Sequence, residues 1–189
     1  MTLISACFTF SGLAVVGLVP PEWWTGPVVW FLLFLGYALD SADGQVARLR
    51  GGGSAVGEWL DHVVDCIKTS ILHIVVTIAA VRFFALDSLV WCLVPLGYLV
   101  VANASFFAMI LNDSLKQIAG VRLRQPGQFR WSRSLLVLPT DYGVLCLAFL
   151  TLGWPELFMA VYTVLFVATA GHTALALPKW FRDMGRLPR

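Results

Sequence analysis

Charge is scarce in this sequence. Only 13% of its 189 residues are Asp, Glu, Lys or Arg, against about 25% in soluble domains. So few charges cannot cover the surface of a water-soluble domain of this size. The net charge of +2 provides no basic surface for nucleic acid. Cysteine is sparse too, and Cys7, Cys66, Cys92 and Cys146 stand in neither CxxC nor CxxxH spacing. Their apolar surroundings predict small buried hydrophobes, with no disulfide and no zinc. Repeats and low-complexity tracts are absent. The apolar segments do not alternate polar with apolar, which excludes a closed β-barrel. Met1 to Pro20 has no positive start and no small-residue cleavage site, so it reads as a retained span, not a signal peptide.

Long apolar runs take the place of charge. The chain is 59% hydrophobic with mean hydropathy +0.80. Six segments stand out: Leu3 to Val19, Val28 to Arg48, Val56 to Val81, Leu89 to Leu111, Leu135 to Leu152 and Glu156 to Leu177. Turn chemistry separates them at Pro20-Pro21-Glu22, Gly51-Gly52-Gly53-Ser54, Ala85-Leu86-Asp87-Ser88 and Gly153-Trp154-Pro155. A spanning helix needs about 20 residues, so six spans use most of the chain and leave no separate soluble domain. Lipid offers no partner for backbone groups, so the segments must be helices. The expectation is an all-α integral membrane bundle of six transmembrane helices, one domain over residues 1–189.

Lys and Arg set its orientation. Arg48 and Arg50 follow segment two, Lys116, Arg122, Arg124, Arg130 and Arg133 lie between four and five, and Lys179, Arg182, Arg186 and Arg189 follow six. With six spans these fall on one side, the cytoplasmic one, and Arg82 falls on the other. Both termini are then cytoplasmic. Trp23, Trp24, Trp30 and Trp154 suit an outer aromatic belt, and Trp131 and Trp180 an inner one.

One stretch contradicts the apolar character. Leu39 to Asp65 carries Asp40, Asp43, Asp61 and Asp65 between two of the most apolar segments. Asp40 and Asp43 are three apart on one helix, and Asp61 and Asp65 four apart on the next, so each pair shares a face. The glycine-rich turn between them lets the helices return antiparallel and brings the acids together near the cytoplasmic surface. Bare carboxylates so placed repel one another, and ionisable groups within spans usually mark a site. Oxygen ligands favour a hard cation, magnesium or manganese, over zinc. Gly44 and Ala47 are small enough to let a flat ligand approach, and Arg48 offers a planar fork to phosphate. Two metals with an arginine beside a diphosphate suit phosphoryl transfer.

The pattern D-x2-D-G-x2-A-R-x8-G-x3-D-x3-D, filled here by Asp40, Asp43, Gly44, Ala47, Arg48, Gly57, Asp61 and Asp65, resembles the signature of the CDP-alcohol phosphotransferases, also called phosphatidyltransferases. The resemblance implies transfer of a phosphatidyl or other phospho-alcohol group from a CDP-linked donor to an alcohol acceptor, with release of CMP, in phospholipid biosynthesis. It implies two divalent cations, Mg2+ or Mn2+, held by Asp40, Asp43, Asp61 and Asp65, with Asp65 also the general base. It places CDP against Asp40, Gly44, Ala47, Arg48 and Gly57. It further implies an integral protein of a bacterial cytoplasmic membrane, its active site facing the cytoplasm, and often a homodimer. Family members commonly carry an amphipathic helix and an Asn ahead of a Thr-Leu at span one. This chain begins at Met1-Thr2-Leu3, which implies either a start set too late or a shortened member.

The signature does not name the acceptor. Arg133, followed by Arg122, is the candidate contact for an acceptor phosphate, although a positive cytoplasmic loop needs no such role. Asp141 reads either as an orienting acid or as an N-terminal helix carboxylate. Asn103 and Ser105 read as helix–helix partners, and His62, His73 and His172 as packing residues. Two alternatives stand beside the main reading: transfer from a soluble CDP-alcohol to a lipid acceptor, and a divalent-cation transporter. The transporter would need acids spread through the depth of the membrane.

Overall fold

Prolines and hydroxyl caps set the helix ends. The first helix, α1 (Thr2–Leu18), stops before Pro20-Pro21, because proline has no N–H to give and disfavours helical geometry in the residue before it. Thr25 opens α2 (Thr25–Leu49), accepting from the Glu22 N–H at 3.0 Å. Ser54 caps α3 (Ala55–Arg82) by accepting from the Gly57 N–H at 3.1 Å. A 3-10 turn at Leu89–Cys92 leads into α4 (Leu93–Ile118). Asp141 caps α5 (Tyr142–Ala148), which a second 3-10 turn extends to Thr151. Pro155 then sits at the start of α6 (Pro155–Met184), where its missing N–H costs nothing. The computed structural model describes residues 2–49, 54–121 and 141–187, without the side chains of Ala47 and Arg48.

Every described element is helical, as expected of an all-α bundle. Among the described residues, four helices are long and apolar enough to cross a membrane: Thr25–Val46, Ala55–Arg82, Leu89–Ile118 and Pro155–Met184. Thr2–Leu18 and Tyr142–Thr151 are shorter apolar helices. The expected start of segment five, before Asp141, lies outside the described residues. The fourth and sixth helices run past the expected Leu111 and Leu177, to Ile118 and Met184. Hydropathy marks where lipid ends, whereas a helix continues for as long as its backbone bonds do. One expectation is corrected. Cys92 and Cys146 are buried, but Cys7 and Cys66 are exposed on the outside of the bundle. Lipid is as apolar as a core, so apolar neighbours in sequence cannot tell an inward thiol from an outward one.

The two ends of the bundle differ. The close-packed core takes Leu13 and Val16 from late α1, Val29 and Leu33 from early α2, Leu72, Val76 and Ala80 from late α3, and Phe149, Phe158 and Tyr162 from the α5–α6 corner. At this end Arg82 donates to the Gly17 carbonyl at 3.0 Å, tying the end of α3 to the end of α1. The opposite end contains the start of α1, the end of α2 and the start of α3, where the aspartates stand. Outward-facing Phe31, Phe107, Val164 and Leu175 form an apolar exterior, which lipid would cover.

In lipid no hydrophobic force presses helices together, so close packing depends on small residues. Gly36 of α2 is one such contact: a Cβ there would collide with the Thr9 hydroxyl and lie 3.0 Å from the Ser5 carbonyl oxygen. This close approach sets α1 against α2 one turn from Asp40. Gly36→Ala is expected to cost about 1–3 kcal/mol, read as a lowered thermal midpoint in detergent. Gly171→Ala, where a Cβ meets nothing within 4 Å, should leave the midpoint unchanged or raise it.

Candidate active site

Helix periodicity pairs the acids and the antiparallel return joins the pairs. Asp40, Asp61 and Asp65 each present a carboxylate oxygen, and the three oxygens lie within 4.8 Å of one another. Such a group of hard oxygen donors suits a divalent cation. Asp43, one turn beyond Asp40 on α2, accepts from the Thr2 hydroxyl at 3.0 Å and is not one of that group of three. The first helix thus holds both acids of α2, since Ser5 donates to Asp40 Oδ1 at 3.0 Å.

The cluster contains a cation outside the signature. Lys68, three residues after Asp65 and one turn further along α3, is only 5% exposed. Its Nζ lies 3.1 Å from Asp40 Oδ1, 3.1 Å from Asp65 Oδ1 and 3.2 Å from the Ser5 hydroxyl. The sequence signal was available: a lysine inside an apolar span, on the same face as an acid, is costly enough to need a partner. Only the fold shows that its partners come from three helices.

The remaining sequence candidates separate into two groups. The backbones of Gly44, Ala47 and Arg48 continue α2, but the Ala47 and Arg48 side chains, like Arg122 and Arg133 entirely, lie outside the described residues. Gly57 lies exposed in the first turn of α3, where a Cβ would meet only the Ser54 hydroxyl, so helix packing does not require glycine there. Asp141 fills the capping role, accepting from the Gly143 N–H at 2.7 Å, and also lines the cavity described next. Asn103 accepts from Ser70 at 3.2 Å across the α3–α4 contact. His62 of α3 lies beside Glu58 and Phe106 and is close enough to Asp61 and Asp65 to interact with their charge.

A cavity of about 530 Å3 extends from Asp40, Asp65 and Lys68 into the bundle, with Asp141, Met109 and Trp180 also in its wall. Its inner end is lined by Leu72, His73, Tyr98 and Thr169. His73 is buried and its Nδ1 is hydrogen-bonded to the Tyr162 hydroxyl, while its ring stacks on Tyr98 with centroids 4.4 Å apart. Tyr98 is in turn paired with Thr169 at 3.2 Å. Tyr162→Phe would strand the buried imidazole nitrogen. It is expected to cost about 1–3 kcal/mol, and adding His73→Phe should cost less than the two single changes summed, as a thermal double-mutant cycle would show.

Comparison with known proteins identifies the family. Residues 1–175 match the family model described as CDP-alcohol phosphatidyltransferase. A stretch of 73 residues is 38% identical to the archaetidylinositol phosphate synthase of Aeropyrum pernix, covering 38% of each chain. A stretch of 79 residues is 38% identical to the phosphatidylinositol phosphate synthase of Corynebacterium glutamicum, covering 41% of this chain and 33% of that one. These matches thus span 38% and 33% of the curated relatives' lengths. The crystal structure of Mycobacterium tuberculosis phosphatidylinositol phosphate synthase with CDP-DAG bound superposes with a TM-score of 0.60 at 20% identity, over 95% of this chain and 85% of that one. At that identity the likeness is one of fold.

Proposed function

The chain belongs to the CDP-alcohol phosphatidyltransferase family, and from that premise we propose that it transfers a phosphatidyl group from CDP-diacylglycerol to the hydroxyl of an alcohol, releasing CMP. The observation that carries this reading is the meeting of Asp40, Asp61 and Asp65 oxygens within 4.8 Å, beside a cavity that Asp40 and Asp65 also line. Asp40, Asp43, Asp61 and Asp65 would hold two magnesium or manganese ions, which when bound neutralise the diphosphate and polarise its phosphorus. Gly44, Ala47, Arg48 and Gly57 form the side where CDP lies, and the open first turn at Gly57 leaves it room.

Asp65 is the general base. It stands where the acids meet the cavity, so it takes the proton from an acceptor hydroxyl seated there. The acceptor oxygen then attacks the phosphorus bearing the diacylglycerol, and the bond to the CMP oxygen breaks. The names of the relatives favour a phosphorylated inositol as acceptor, and hydroxyls of Thr9, Tyr98, Ser105 and Thr169 along the cavity suit a polyol. Arg133 and Arg122 are assigned to its phosphate. We place the active site and both termini on the cytoplasmic side of a bacterial membrane, on the strength of the Lys and Arg distribution. The chain is read as one domain over 1–189, working as a homodimer as its family resemblance implies. A cation path is disfavoured because the acids stand at one end while Phe149, Phe158 and Tyr162 pack the other.

The test is CMP release from CDP-diacylglycerol in membranes, with inositol 1-phosphate, glycerol 3-phosphate, serine and a phosphatidylglycerol-type lipid supplied separately. One acceptor should drive release, EDTA should stop it and Mn2+ restore it. Asp65→Asn should lower the rate by about 10²–10⁴-fold. Acceptor-driven release that survives Asp65→Asn would remove the base assignment.

A further inference from the structure

The family signature ends at Asp65, yet the most buried charge at the acidic end among the described residues is Lys68, three residues later. An ammonium has three N–H donors. All three have partners on the protein here, at 3.1, 3.1 and 3.2 Å: Asp40 Oδ1, Asp65 Oδ1 and the Ser5 hydroxyl. A lysine that gripped substrate phosphate would have to give up one of them. The partners also come from different helices: Asp40 from α2, Asp65 from α3 and Ser5 from α1. Ser5 closes the arrangement by donating to the same Asp40 oxygen that Lys68 holds. Each of the two aspartates therefore commits Oδ1 to the lysine. Oδ2 of each has no hydrogen-bond partner among the described residues.

We propose that Lys68 is a positioning residue for this reaction: a tethered cation that fixes the Asp40 and Asp65 carboxylates from the membrane side, so that their Oδ2 atoms face the reacting groups. The proposal rests on the metal-and-base reading of those aspartates. The physical need is clear. Carboxylates gathered at the end of an apolar bundle repel one another and rotate apart unless something holds them. A mobile divalent ion holds them only while bound, whereas a lysine on the same helix holds them before the ion arrives. Groups that orient metal ligands typically contribute about 10–100-fold to metal affinity or activity.

The experiment uses the full chain in lipid nanodiscs, as wild type, Lys68→Met, Lys68→Arg, Ser5→Ala and Asp65→Asn. Mn2+ binding is read by electron paramagnetic resonance and by thermal stabilisation over EDTA, and turnover by CMP release. Lys68→Met should raise the Mn2+ concentration for half-maximal binding by about 10-fold or more. At saturating Mn2+ it should lower kcat by about 10–100-fold while KM for CDP-diacylglycerol and for the acceptor stays within about twofold. Lys68→Arg keeps the charge and should recover most of both losses. Ser5→Ala removes only the hydroxyl that bridges Lys68 and Asp40; it should shift both readings in the same direction by a smaller factor. It also keeps the proposal open to refutation if Lys68→Met does not fold.

Wild-type Mn2+ binding and kcat in Lys68→Met would overturn the proposal. So would a large rise in KM for either substrate with kcat unchanged, since that would make Lys68 a substrate contact. Wild-type protein without Mn2+ binding or CMP release would remove the underlying reading, and the proposal with it. Wild-type activity abolished in Asp65→Asn but unaltered in the Lys68 and Ser5 variants would remove the proposal alone.

Discussion

The architecture depends on one electrostatic constraint: carboxylates placed in an apolar helical bundle need counter-charge and fixed partners. Asp40 and Asp65 meet that need through Lys68 and Ser5. Those contacts require α1, α2 and α3 to converge at one end. Gly36 permits the convergence, because any side chain there would push α1 away from α2. Thr2 extends the same seam to Asp43. The first helix, which carries none of the signature, thus holds both acids of the second.

The opposite end of the bundle provides the rigidity. Aromatic rings of Phe149, Phe158 and Tyr162 pack on one another at the α5–α6 corner, in the same core as the last turns of α3, and Arg82 ties α3 to α1. The acidic end, by contrast, borders the cavity. The cavity then meets the acids at its mouth and the His73–Tyr98–Thr169 group at its inner end. For the proposed transfer of a lipid-borne phosphate to a polar alcohol, this cavity would offer acidic oxygens at one end and hydroxyls along its wall.

Lys68 shows how a shared scaffold can carry an individual device. The spaced acids define the family chemistry, and any member must gather them. How they are kept in place before metal binds is a separate problem, solved here by one cation reaching two helices. Because all its protons are committed to protein oxygens, the lysine acts through the carboxylates and not on substrate.

The helices, the membrane class and the signature acids were legible in the sequence, since hydropathy, turn residues and short helical spacing are local properties. Asp40 and Asp43, or Asp61 and Asp65, share a face whatever the rest of the chain does. Helix ends were less legible: α4 and α6 outrun their apolar segments because backbone bonding continues in polar sequence. The inward or outward aim of a residue was not legible either. Cys7 and Cys146 both lie in apolar segments, yet one is exposed and the other buried, since lipid and core are alike in polarity. Tertiary structure alone decided which groups meet across helices. Ser5, Asp40 and Lys68 are far apart in the chain, and only the packing of α1, α2 and α3 brings an ammonium within hydrogen-bond reach of two carboxylates and a hydroxyl.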